Sequence, residues 1–114
     1  MIETLSNRRS IRKYSEKEVT EELLNDLLTV AVRASNTGNM QLYSVVVTRD
    51  QAMKEKLAPT HFNQPMVTQA PIVLTFCADA NRFVKWSEQR KADAGFDNFQ
   101  TFICATIDAM LFAE

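Results

Sequence analysis

The chain has 114 residues, 46% of them apolar and 24% charged, the balance of a globular protein with one core rather than of a disordered or fibrous chain. Its 13 basic and 14 acidic side chains leave a net charge of -1, so nothing in the balance points to nucleic acid or an anionic membrane as the main partner. One histidine, His61, and two widely separated cysteines, Cys77 and Cys104, exclude a metal constellation and predict buried free thiols.

The start, Met1-Ile2-Glu3-Thr4-Leu5, lacks the basic and then apolar regions of a signal peptide. No apolar run nears the roughly 20 residues of a membrane span, so the sequence reads as cytoplasmic. Residues 2–6 suit a short helix leading into a basic stretch. Ser15-Glu16-Lys17-Glu18 has capping-box spacing, but Thr20, followed by Glu21 and Glu22, is the better N-cap. Leu23, Leu24, Leu27, Leu28 and Ala31 then recur at helical spacing and predict a helix over about 21–33, with Arg33 suited to its C-terminal dipole.

Residues 35–41 are polar, break the period and include Gly38, one of 2 glycines; they predict a loop. The run Leu42 to Thr48 is apolar and β-branched, a strand expected to be buried on both sides. Asp50 caps a short helix to about Leu57, with Pro59 as its stop. Residues 60–70 fit no single pattern, although Met66 to Ala70 suits a helical turn before Pro71. The second strand is Ile72 to Ala78, and Asp79 opens a helix with Phe83, Val84 and Trp86 that runs to about Lys91.

Beyond Gly95, a last helix carries Phe99, Phe102, Ile103, Ala105, Thr106, Ala109, Met110 and Ala113. It is apolar round most of its circumference, as a helix buried centrally or at a subunit interface would be. Two strands make a poor sheet, and the helical pattern reaches Glu114 without glycine, proline or a cap. The expectation is a single, incomplete α+β domain over 1–114.

Two stretches carry candidate chemistry. Asn7 to Tyr14 holds three arginines, a lysine and a hydroxyl; if extended, Arg8, Ser10 and Arg12 share one face and Arg9 and Ile11 the other. Guanidiniums flanking a hydroxyl suit a small phosphate dianion, because arginine's planar fork binds two oxygens at once. A solvated basic face is the plainer reading of such a run. In the second stretch Ser35, Asn36, Thr37, Asn39 and Gln41 set five hydrogen-bonding side chains between a helix end and a strand. Either this is turn chemistry alone, or the loop offers donors to a ligand with a phosphate and a flat polar ring.

Taken together, Arg-Arg-Ser-Ile-Arg-x-Tyr, a first helix, Ser-x-Thr-Gly-Asn-x-Gln leading into Val45-Val46-Val47, Ala70-Pro71-Ile72-Val73-Leu74 with Cys77-Ala78-Asp79, and the ending Ala-Met-Leu-Phe-Ala-Glu resemble the N-terminal part of the FMN-dependent nitroreductase family. The resemblance implies helices around a central mixed sheet in an intertwined homodimer, with FMN at the interface and touched by both chains. It implies that Arg8, Arg9, Ser10 and Arg12 hold the FMN phosphate and ribityl chain. Ser35, Asn36, Thr37 and Asn39 match the loop that reaches the other subunit's flavin, with Ser-Asn-Thr where the family has Pro-Ser-Ser. Gln64 falls where the family sets a polar residue against the pyrimidine edge of the ring, and Gln41 braces the loop.

The implied chemistry is ping-pong hydride transfer from NAD(P)H through the flavin to a nitroaromatic, a quinone or a similar electrophile, so no catalytic acid or base is assigned. His61 reads as a solvent-facing or structural loop histidine, and Tyr43, Phe62, Trp86, Phe99 and Phe102 as core or interface rather than flavin stackers. Members of the family are nearly twice this long. The alternative reading is therefore a dimeric fragment that keeps the fold elements without binding FMN; a third is a relative using flavin for reductive dehalogenation or ring breakdown.

Overall fold

The computed structural model describes residues 2–95 and 98–114, and the chain divides into two compact units, Met1–Val19 with Thr48–Val73, and Thr20–Val47 with Leu74–Glu114.

In the first unit, α1 (Ile2–Ser6) is a single exposed turn and a half of helix. Beyond it, residues 8–19 have no helix or strand, and all but Val19 are exposed. Arg49 donates to the Val19 carbonyl at 2.7 Å and fixes the end of this segment. α3 is Gln51–Leu57, capped as the sequence predicts by Asp50, whose carboxylate accepts from the Met53 N–H at 2.9 Å. Pro59 does not stop the chain from coiling; it sits in the first turn of a 3₁₀ segment, Ala58–His61, that continues directly from α3, a place where its missing N–H costs nothing. Phe62 ends that segment in the left-handed conformation at φ 55 and is 87% exposed, so it is not part of the core of this chain. α4 (Pro65–Gln69) accounts for the ambiguous stretch, packing Val67 and Ala70 inward. Lys54 is buried and donates to the Ala70 carbonyl at 2.9 Å, at the end of α4, so the cation meets an oxygen that the helix leaves without an internal donor.

The second unit holds the sheet. α2 (Glu21–Ala31) starts where the sequence places it, with the Thr20 hydroxyl accepting from the Leu23 N–H at 3.2 Å. The strands β1 (Tyr43–Thr48) and β2 (Val73–Ala78) form a two-stranded sheet. The Asp79 N–H donates to the Leu42 carbonyl at 2.9 Å, tying the end of β2 to the start of β1, which makes the pair antiparallel. β1 is not buried on both sides: Val46 and Val47 are 53% and 39% exposed, so its apolar run covers only part of its length. α5 is Ala80–Gln89, capped by Asp79 through the Arg82 N–H at 3.1 Å and ending just short of the predicted Lys91.

α6 (Phe99–Ala113) is capped by Asn98, which accepts from the Gln100 and Thr101 N–H groups. Only one of its faces is buried within the chain: Ala105, Asp108, Ala109 and Phe112, at the 3, 4 and 7 spacing of a helical stripe. Phe112 stacks on Tyr43 with centroids 4.3 Å apart and meets Phe76 edge-on at 5.8 Å. Leu28, Ala31 and Val45 close around this cluster. The helix's other side leaves Phe99 and Phe102 exposed, stacked on each other at 6.0 Å, with Met110 also exposed. Cys77 and Cys104 are free but half-buried rather than buried.

Candidate functional site

The predicted site residues fall in both units. In the first, Arg8, Arg9, Ser10 and Arg12 lie consecutively in the exposed segment beyond α1. The end of α1 is drawn out only briefly, by the Asn7 N–H to the Glu3 carbonyl at 3.0 Å and the Arg8 N–H to the Leu5 carbonyl at 3.3 Å. Gln64, in the same unit, stands at the N-terminus of α4 with an exposed side chain that makes no cap bond. His61 is exposed, as expected.

In the second unit the polar loop is a built object. Thr37–Asn39 forms a 3₁₀ turn closed by the Met40 N–H on the Thr37 carbonyl at 3.0 Å. Gly38, Asn39 and Gln41 are all left-handed, at φ 56, 56 and 51, a conformation natural for glycine, tolerated by asparagine and disfavoured for glutamine. A carboxylate from α6 holds this shape. Asp108, with no solvent exposure, accepts from the Thr37 N–H at 2.8 Å and the Thr37 hydroxyl at 3.0 Å on one oxygen, and from the Leu42 N–H at 3.3 Å on the other.

Two further bonds complete the brace. The Asn36 side chain donates to the Ala34 carbonyl at 3.3 Å and accepts from the Gln41 N–H at 3.4 Å. The Gln41 carbonyl accepts from the Tyr43 N–H at 2.8 Å and from the Arg82 guanidinium. Gln41 thus braces the loop through its backbone. The four predicted loop residues divide: Asn36 and Thr37 turn their side chains to the loop and to α6, while Ser35 and Asn39 remain exposed.

The surroundings are polar on one side and apolar on the other. A cleft of about 370 Å³ runs between Asn39, Met40 and Gln41 of the loop and Arg82, Phe83 and Trp86 of α5. Behind the loop, an apolar pocket of about 130 Å³ is lined by Thr37, Leu42, Val84 and Cys104 among others. Trp86 is half exposed, stacked on Phe83 at 5.7 Å with the Arg90 guanidinium 5.6 Å from its ring. Burial pushes the Tyr43 phenol above its usual value, against the pull of Arg82 and with the push of Asp108. Asp79 is held below the usual carboxylate range, first by the Ser44 hydroxyl and then by the Arg82 N–H.

Asp108 and Arg82 are absent from the sequence-based site. The signal for Asp108 was present: it is the one charged residue between Phe99 and Ala113, and it lies in register with Ala105, Ala109 and Phe112. A carboxylate on the buried stripe of a helix must find donors. Among the described residues no group of histidine, cysteine or carboxylate side chains is arranged to hold a metal ion.

Comparison with known proteins gives a consistent result. Residues 5–113 match the nitroreductase family. The FMN reductase (NADPH) of Bacillus subtilis is 32% identical over 115 residues, covering 99% of this chain and 46% of that protein. A crystal structure from Bacteroides fragilis superposes with a TM-score of 0.93 at 57% identity, covering 97% of this chain and 45% of that one. The NADPH:FMN oxidoreductase of Vibrio harveyi, solved with NAD+, gives a TM-score of 0.86 at 28% identity over 98% of this chain and 47% of that one. The chain thus spans a little under half the length of these relatives.

Proposed function

The chain belongs to the nitroreductase family, and on that footing we propose that it forms the phosphate-binding run and flavin-facing loop of an FMN-dependent NAD(P)H oxidoreductase, a cytoplasmic homodimer acting on small electrophiles such as nitroaromatics or quinones. The observation that carries the proposal is the loop held in shape by Asp108, Asn36 and Arg82, which leaves Ser35 and Asn39 exposed. A surface whose shape is set before a ligand arrives loses little entropy on binding.

The chemistry of the donor set supports this reading. Arg8, Arg9, Ser10 and Arg12 are all exposed, and the planar guanidinium fork can bind two oxygens of a phosphate dianion at once. Ser35 and Asn39 would offer side-chain hydrogen bonds, and Gln64 is a further exposed amide for the polar edge of a ring. Asn36 and Thr37, spent on the loop itself, act by fixing its backbone. Bound FMN would supply the chemistry, accepting a hydride from NAD(P)H and passing it to an electrophile. The chain's own task is to bind, orient and exclude water. The exposed side of α6, with Phe99, Phe102 and Met110, is apolar surface of the kind that a second copy would cover.

A second reading rests on length: the chain spans 46% of its Bacillus subtilis relative, and 114 residues that keep these elements without holding FMN would be a dimer-forming fragment. Gel filtration of the purified protein, with its visible absorption and intact mass recorded together, separates the two. The enzyme reading expects flavin absorbance to travel with a 13.0 kDa chain. A colourless chain of that mass, unchanged after added FMN, contradicts it.

A further inference from the structure

We infer that Asp108 is the positioning residue of the cofactor site, setting the shape of the Thr37–Leu42 loop without touching the ligand itself; this rests on the FMN reading above. The geometry is specific. One carboxylate oxygen takes both donors of Thr37, at 2.8 and 3.0 Å, and the other takes the Leu42 N–H at 3.3 Å. A single side chain therefore grips the loop at its two ends, from a helix of 15 residues with its own N-cap. Because Asp108 has no exposure, it reaches a ligand only through the loop.

The loop needs such a grip. Asn39 and Gln41 sit at φ 56 and 51, a conformation that asparagine tolerates and glutamine adopts only with strain. Backbone in such conformations persists only where its surroundings over-determine it. Asn36 and Arg82 both act at Gln41; Asp108 alone holds Thr37 and Leu42 to the helix among the hydrogen bonds of the described residues. Without it the left-handed stretch between them can relax, taking Asn39 with it.

Asp108→Asn tests this with little change of volume. An amide has one acceptor oxygen; turned toward the two Thr37 donors, it sets its NH₂ against the Leu42 N–H. Hydrogen exchange of the full 114-residue chain, resolved by residue, should then show the Leu42 amide exchanging at least about tenfold faster, and Thr37 changing less. Fluorescence titration should show FMN binding weakened by about tenfold. Thr37→Val, which removes only the hydroxyl bond, should weaken FMN binding several-fold, and Thr37→Ser should restore it. If Asp108→Asn fails to fold, this pair decides the matter by exchange and affinity together: weaker binding with faster exchange of the Thr37 amide supports positioning, and weaker binding with unchanged exchange marks a direct contact and overturns it.

Unchanged Leu42 exchange in Asp108→Asn overturns the grip. Faster exchange with unchanged FMN affinity overturns the positioning role. If the unaltered protein takes up no FMN, the functional proposal fails by itself, and the exchange rates still decide whether Asp108 shapes the loop.

Discussion

The loop at residues 36–42 and the basic run at residues 8–12 are the two candidate ligand-binding stretches, and they are built in opposite ways. The loop is short, strained in backbone, and tied to α6 and α5 by Asp108 and Arg82. The run is exposed and has no helix or strand. The difference follows from ligand chemistry. A flat ring is recognised by directional hydrogen bonds, which demand donors already in place. A phosphate dianion is recognised by charge, which tolerates side chains that settle around it. One stretch should therefore show its properties in stability and the other in affinity.

Removing the loop's anchor should have the largest effect. Asp108→Ala leaves three donors without their acceptor in a buried place, at about 1–3 kcal/mol for each donor left unsatisfied. A total loss near 3 kcal/mol is expected from urea denaturation, less if water enters the space. Arg12→Ala should do the reverse. FMN affinity should fall by about 1.5–3 kcal/mol, the scale of a charge-assisted hydrogen bond, while the denaturation midpoint stays within experimental error. An unchanged affinity would remove the phosphate assignment.

A smaller effect tests the loop's backbone alone. At Gly38, φ is +56 and an added Cβ would meet only Met40 side-chain atoms, at 3.8 and 3.9 Å. Those are ordinary contacts, so Gly38→Ala should cost about 1–2 kcal/mol through the left-handed conformation and not through a clash. A thermal melt unchanged by the substitution would show that the turn adapts.

The smallest expected effect is electrostatic and concerns the junction beside the loop. Asp79 has a lowered pKa because Ser44 and the Arg82 N–H bind its charged form. Its contribution is therefore present above the ordinary carboxylate value near 4 and lost as pH falls through the lowered one. Urea midpoints should drop below about pH 4, and Ser44→Ala should flatten part of that dependence. The same slope in the variant would remove Ser44 as the chief cause.

What could be read from the sequence was whatever depends on near neighbours. The caps at Thr20, Asp50 and Asp79 follow from one polar residue ahead of a helical period, and each is found bonded as expected. The family followed from ordered motifs, and the match over residues 5–113 bears it out. Direction was not legible. Asn36 and Thr37 have the right chemistry to meet a cofactor, but their partners are Ala34, Gln41 and Asp108, and a local pattern cannot say which way a polar side chain turns.

Long-range partners were hidden for the same reason. Asp108 lies 71 residues from Thr37 and Arg82 lies 41 from Gln41, so only the fold brings them together. Val46 and Val47 were misread because β-branched composition reports strand and not burial. The aromatic side of α6 was legible as unusual. In the structure Phe99, Phe102 and Met110 on that side are exposed, while Ala105, Asp108, Ala109 and Phe112 are buried.

The central claim is that one stretch is shaped before the ligand and the other around it. The most direct test is a titration of FMN into isotope-labelled protein followed by amide resonances. The account predicts that the Thr37 and Leu42 amides are slow to exchange before any FMN is added, and that residues 8–12 change most in shift as it binds. Loop amides that gain protection only with FMN, or a basic run indifferent to it, would contradict the account.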